Sequence, residues 1–286
     1  MIQIAFVKWG TRYGASTINR HVRAILEHAT CDVKFVCITD RADPDIDARV
    51  ETRGFPPFVA PMDYLKIGCR LKLSIFADGV LDPDLPTVFF DLDTMICGDV
   101  NRLREHVESK GGISMLQNHF LQWWPYQHLA RRFSPECYYF ANSSVIGFKP
   151  REYGFLYDAF NQQVVDALPS EEIDKKYHSD ERFISYNARE TLRVFPNNLV
   201  VKFAEEFMTP HVAMEETRRL LPWVSRRREQ LVAITFVSEG LKPDQLVKLK
   251  RGDVIRYKHV AAKWNHETFS DYWRETVTAE NSTSGD

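Results

Sequence analysis

Apolar positions along this chain switch repeatedly between two rhythms. Ile2 to Val7 form a short continuous apolar run of the kind a buried strand needs, after which Ile18, Val22, Ile25 and Leu26 fall on one helix face. Val33-Lys-Phe-Val-Cys-Ile-Thr39 reads as the next strand, and Gly54, Pro56, Pro57 and Pro61 punctuate a long surface connection. The stripe Tyr64, Ile67, Leu71 and Ile75 predicts a second helix from Asp63 to about Ala77. A Pro-bounded spacer over 82–86 leads into the strand Thr87-Val-Phe-Phe90. A short helix (Asn101 to His106), two strands (Gly112 to Leu116 and Tyr138 to Phe148) and a helix carrying Leu156, Phe160, Val164 and Leu168 come next.

The charged segment Glu171 to Tyr177 reads as a loop before a short helix over Asp180 to Asn187. Strands follow at Leu192 to Phe195 and Leu199 to Phe203, then a basic helix near Glu215 to Arg228 that Pro222 breaks or kinks. Leu231 to Phe236 and Asp253 to Tyr257 read as strands around a short helix starting at Pro243, and a last helix lies near Glu267 to Glu275. This alternation predicts an α/β fold, a mainly parallel twisted sheet flanked by helices with a Rossmann-like nucleotide-binding core. One domain is expected over 1–278, with a C-terminal elaboration from about 209, while 279–286 lack apolar anchors and are expected to be disordered.

Composition narrows the partners. Lys and Arg total 37 against 39 Asp and Glu in 286 residues, so no net field favours nucleic acid or an anionic membrane. No apolar run approaches the ~20 residues of a membrane span, and the start of the chain lacks a secretory pattern, so a cytoplasmic protein without a transmembrane segment is expected. The five cysteines are scattered, odd in number and without CxxC spacing, which argues against a zinc site or a disulfide framework. Oligomeric state is not legible.

The candidate chemistry sits at the end of the third strand run, Thr87-Val-Phe-Phe-Asp-Leu-Asp-Thr-Met-Ile-Cys-Gly-Asp99. Alternation along an extended chain points Asp91 and Asp93 to the same side, with Leu92 between them, just where an open α/β sheet opens its ligand crevice. Two hard carboxylates there suit Mg2+ or Mn2+ shared with a bound phosphate; capping of the next helix is the alternative. At the end of the first strand Gly10 permits a tight turn, and Tyr13 offers a ring for a base or a core contact. Asp40 could accept from a base or ribose, or cap a turn.

These elements together resemble the retaining nucleotide-sugar glycosyltransferases of family 8. The resemblance rests on Arg70-Leu-Lys-Leu-Ser-Ile-Phe76 ahead of the acidic strand end, and on Lys8-Trp-Gly-Thr-Arg-Tyr13, Phe35-Val-Cys-Ile-Thr-Asp40, Asn142-Ser-Ser-Val-Ile-Gly-Phe148, Ser179-Asp-Glu-Arg-Phe-Ile184 and His259-Val-Ala-Ala-Lys-Trp264. It implies a GT-A-type fold and metal-dependent transfer of a sugar, from a uridine diphosphate sugar, with retention of configuration. The acceptor would be a glycan, a lipid-linked sugar or a protein. Asp91, Asp93 and His259 would hold Mn2+ or Mg2+, with Tyr257 a competing match for the histidine. Lys8, Gly10, Tyr13, Asp40, Arg70, Leu92 and Lys263 would bind the donor, Lys263 at its diphosphate. Asn142, Asp180 and Glu181 would hold the sugar and serve catalysis.

This chain departs from the pattern at Ser144, where the family has Gly, and at Glu181, where it has Gln. The latter puts a carboxylate beside the reacting carbon, as a nucleophile or ion-pair stabiliser. The His259 block, expected to form a loop at the metal site, also lacks the usual Gly and Pro. Trp123 to Tyr126 is a candidate sugar-stacking surface and Arg226-Arg-Arg-Glu229 a candidate contact for anionic lipid, with core packing and a solvated helix end as the plainer readings. Two alternatives differ in class: a haloacid-dehalogenase-like phosphatase, which also uses an apolar strand ending in Asp-x-Asp, and a binding module that has lost activity.

Overall fold

The computed structural model describes residues 1–117, 132–133, 138–167, 179–236 and 239–283. Trp123, Trp124, Tyr126 and the Glu171 to Tyr177 segment lie outside them. The central sheet has seven strands in the order β3-β2-β1-β4-β7-β6-β8: β1 Ile2–Lys8, β2 Val33–Thr39, β3 Val50–Arg53, β4 Thr87–Phe90, β6 Ile113–Leu116, β7 Asn142–Phe148 and β8 Leu192–Val194. Its pairings are parallel except those of β7, which runs antiparallel to both β4 and β6. That reversal places the start of β7 beside the end of β4, where the Asp91 N–H donates to the Ser144 carbonyl at 2.8 Å.

β1 is central and buried along its whole length. Ile2, Ile4 and Phe6 face a core layer with α1 (Ala15–His28), while Ala5 and Val7 face the layer on the other side. A second sheet joins β5 Thr94–Ile96, β10 Ala233–Thr235 and β9 Val200–Lys202, so the chain leaving Asp93 is pinned at once to the C-terminal part. The basic helix is divided as expected, into α7 Val212–Arg219 and α8 Pro222–Arg228, with Pro222 opening the second. The last helix, α10, runs over Glu267–Thr283, so helical backbone extends into the tail expected to be disordered; 284–286 are outside the described residues.

Two elements differ from the sequence expectation. The helix expected from Asp63 to about Ala77 is divided into α2, Met62–Lys66, and a 3-10 segment, Ile67–Phe76, because Gly68 (φ 62°) and Cys69 (φ 58°) are left-handed. Glycine adopts that conformation freely and the cysteine beside it does not, so the kink stores strain at the edge of the site. The His259 block is not a loop: Val260–Lys263 forms β12, paired with β11, Val254–Tyr257, in a hairpin.

His21 supports a stability prediction. It is fully buried, one ring nitrogen lies 2.7 Å from the Thr17 carbonyl, and burial pushes its pKa down to about 4. An unfolded histidine takes up its proton near 6.5, so between about 6.5 and 4 the unfolded chain binds more protons and stability falls as pH falls. At pH 5 the loss from this group is about 2 kcal/mol relative to pH 7. Urea unfolding should therefore show a steeper acid decline for wild type than for His21→Leu; parallel declines would remove His21 as the cause.

Candidate active site

The carboxyl ends of β1 and β4 border a cavity of about 250 Å³ lined by Trp9, Arg12, Tyr13, Cys69, Lys72, Asp91, Leu92, Asp93 and Lys242. Lys72 is its centre. Its buried ammonium donates to Asp91 Oδ2 at 2.7 Å, reaches Ser143 Oγ at 3.4 Å and stands 3.6 Å from Asp180 Oδ2. Burial works against that charge, but Asp91 and Asp180 outweigh it and hold the ammonium well above its usual pKa. Asp91 is also pushed up, to about 7, by its own burial, which Lys72 only partly offsets.

The first turn of α5, Asp180–Asn187, meets the start of β7 across this ammonium. Ser179 caps the helix, and its partially positive N-terminus favours the two acidic residues that follow. Ser143 Oγ donates to Asp180 Oδ2 at 2.6 Å, and the Asn142 amide donates to Glu181 Oε1. Burial and Asp180 raise the pKa of Glu181, while Lys202 and Lys72 oppose them. Asn142 and the adjacent Asp180 and Glu181, from separate parts of the chain, thus join Asp91 in one polar group around Ser143 and Lys72.

On the β1 side the Gly10 N–H, in a left-handed turn (φ 66°), donates to Asp40 Oδ2 at 3.0 Å, so these two expected residues do meet. Tyr13 lines the cavity; burial and then Asp93 raise its hydroxyl above the usual range. Asp93 Oδ2 accepts from Lys242, whereas its Oδ1 is buried without a hydrogen-bond partner.

Four expected residues are placed differently. Arg70 is buried beneath the site, with its guanidinium 3.9 Å over the Tyr64 ring and Nη1 donating to the Tyr64 carbonyl; the left-handed kink turns Lys72, two residues on, into the cavity instead. Lys8 is buried with Asp43 at 3.7 Å and does not line the cavity. His259 lies exposed in the turn of the β11–β12 hairpin, and Lys263 is exposed at the far end of β12, because strand pairing pulls the two apart. Neither lines the cavity, and among the described residues no group of three His, Cys, Asp or Glu could hold a metal ion. Burial, and after it the charge of Lys258 at the hairpin tip, lowers the pKa of Lys202, which Glu181 opposes.

Lys72 and Lys242 were not singled out by sequence. Lys72 was within reach, in the quoted Arg70-Leu-Lys72 run, but Lys242 carries no local signal.

The sheet and crevice are those of the GT-A-type α/β fold. No family model and no curated protein matches the chain. Solved structures do: the galactosyltransferase LgtC, in complex with donor and acceptor sugar analogs, superposes with a TM-score of 0.58 at 10% identity over 96% of each chain. An active-site glutamine-to-glutamate mutant of LgtC matches with the same score and identity over 95% of each. The apo form of the glycosyltransferase GlyE from Streptococcus pneumoniae matches with a TM-score of 0.54 at 12% identity, over 99% of this chain and 64% of that one. Among the described residues, no helix is long and apolar enough to cross a membrane.

Proposed function

We propose that this protein is a glycosyltransferase that takes a sugar from a nucleotide-sugar donor, a uridine diphosphate sugar, and passes it to a glycan, lipid-linked or protein acceptor. The observation that carries this is the meeting of Asp91, Asn142, Asp180 and Glu181 around Lys72 at the sheet's carboxyl edge, with Asp93 on the same cavity. LgtC, of like fold, is described with donor and acceptor sugar analogs, which supports the same reading of this crevice. The phosphatase alternative loses ground, because Asp91 follows the fourth strand rather than opening the sheet.

A divalent cation fits the acidic pair in part. Asp91 and Asp93 offer hard oxygens, Asp93 Oδ1 is buried without a partner, and the four carboxylates Asp91, Asp93, Asp180 and Glu181 face the three ammonium groups of Lys72, Lys202 and Lys242. Mn2+ or Mg2+ bound by two carboxylates normally completes its shell with water and substrate phosphate, so His259 is not required. When bound, the ion would stabilise the charge gathering on the leaving diphosphate.

The protein's own groups supply the rest. In this reading Asn142 and Asp180 would hold the sugar, and Glu181, which accepts from the Asn142 amide, would stabilise an oxocarbenium-like carbon from the face opposite the leaving group. Retention of configuration would follow. The LgtC mutant with glutamate for an active-site glutamine is of interest because the family resemblance gives Glu181 the same relation to the usual residue.

Calorimetric titration with nucleoside diphosphates, with and without Mn2+, tests the reading. Binding to wild type is expected to strengthen with Mn2+, and Asp91→Asn with Asp93→Asn to abolish that increment. Equal binding by the double variant would end the metal assignment, and no binding of any nucleoside diphosphate to wild type would end the donor assignment. Release of diphosphate from one member of a nucleotide-sugar panel without acceptor would then identify the sugar.

A further inference from the structure

Lys242 has no place in the family resemblance, yet its ammonium is in the cavity and donates to Asp93 Oδ2. Its position is built rather than incidental. Leu241 and Pro243 on either side are buried, Leu246 is fully buried, and the Lys242 carbonyl accepts from the N–H groups of Gln245 and Leu246 at 2.9 and 3.0 Å. The backbone is therefore fastened to the core on both sides while the side chain, 18% exposed, reaches inward.

An ammonium carries three donors, and Asp93 takes one; among the described residues Lys242 makes no other hydrogen bond or ion pair. The remaining two face a cavity whose other cations are already engaged or outlying. Lys72 is enclosed by Asp91, Ser143 and Asp180, and Arg12 is exposed at the mouth. Lys263, on which the diphosphate role falls by resemblance, is exposed on β12 with its side chain running past Gly252.

We propose that Lys242 is the side chain that neutralises the donor's diphosphate at its outer, sugar-bearing phosphate, and that Asp93 holds it in readiness there. This inference rests on the nucleotide-sugar reading. It assigns the task to a residue fixed by a short C-terminal helix rather than by the β11–β12 hairpin. A compact ammonium suits it, since it can serve a carboxylate and a phosphate oxygen together.

The test compares uridine diphosphate with uridine monophosphate by calorimetry, on wild type, Lys242→Met, Lys242→Arg and Lys263→Met, all with Mn2+. Lys242→Met is expected to weaken diphosphate binding by roughly 10- to 100-fold while shifting monophosphate binding little, as loss of a charged hydrogen bond to one phosphate would. Lys242→Arg should recover part of the difference, and Lys263→Met should behave as wild type. If Lys242→Met weakens both nucleotides alike, its role is only structural and the proposal falls. If Lys242→Met binds as wild type while Lys263→Met loses the diphosphate preference, the role belongs to Lys263. If wild type prefers neither nucleotide, the donor reading fails first, and this inference with it.

Discussion

Lys72→Met is expected to inactivate the protein and to weaken its fold. The ammonium is the shared counter-ion of Asp91 and Asp180, and the substitution leaves two carboxylates beside each other in a largely buried place. Breaking a buried pair from one side costs about 3–5 kcal/mol, and the lower end applies here because a stranded carboxylate can take up a proton. Donor turnover should fall by about 100- to 1000-fold, as when a preorganised charge is withdrawn from a reacting centre.

The pH dependence distinguishes this from ordinary cavity formation. Without Lys72 the folded pKa of Asp91 rises further, so above pH 4 the unfolded chain ionises this group while the native state holds its proton or suffers the charge. Wild type already holds that proton up to about pH 7, so the two chains decline in parallel from pH 4 to 7 and the variant's deficit relative to wild type should grow above about pH 7. Urea unfolding at four pH values reads this directly. Lys72→Met together with Asp91→Asn should cost less than the two single changes added together. A deficit independent of pH, with additive energies, would show that the Lys72 side chain matters only as volume.

Glu206→Ala is the second large effect, far from the cavity and with no catalytic role. The Glu206 carboxylate is 5% exposed and receives Arg227 at 2.6 Å on both oxygens, Arg228 at 2.8 Å and Arg218 at 3.3 Å, joining α7 and α8 to the short helix Phe203–Glu206 that follows β9. Removing it leaves Arg218 and Arg228 sharing the one neighbouring carboxylate, Glu215, and takes from Arg227 the carboxylate it donates to. Because two of the three arginines are about a quarter to a third exposed, solvent shares the burden, and a loss of about 3 kcal/mol is expected. Hydrogen exchange should rise across Val212–Arg228 more than across β1, and nucleotide affinity should be little changed. Unaltered exchange in that segment would show that apolar contacts, such as that of buried Val224, suffice to hold it. The same network explains why Arg227 and Arg228, expected as a solvated or lipid-facing end, instead face inward.

How much of this was legible in advance depends on distance along the chain. Asp91 and Asp93 were readable because a strand and the turn that ends it obey local rules, and the helix over Asp180–Asn187 because its cap and apolar positions lie within eight residues. Asn142 was marked by resemblance, but its amide's contact with Glu181 depends on β7 running antiparallel to β4. The second helix failed where two consecutive left-handed residues broke a plausible stripe, and with it the aim of Arg70. His259 and Lys263 lie outside the cavity lining because backbone pairing with β11 overrode the loop expected of that block.

Sequence alone determined the alternation of strand and helix, the acidic end of β4 and the α/β class, since each follows from short-range periodicity and chain chemistry. Only the tertiary structure decided which cations face those carboxylates. Lys72 and Lys242 lie 19 and 149 residues from their aspartates, and no local pattern encodes a contact made by the packing of separate elements. The burial that shifts the charge of Asp91 arises in the same way, from layers that meet only in the folded chain.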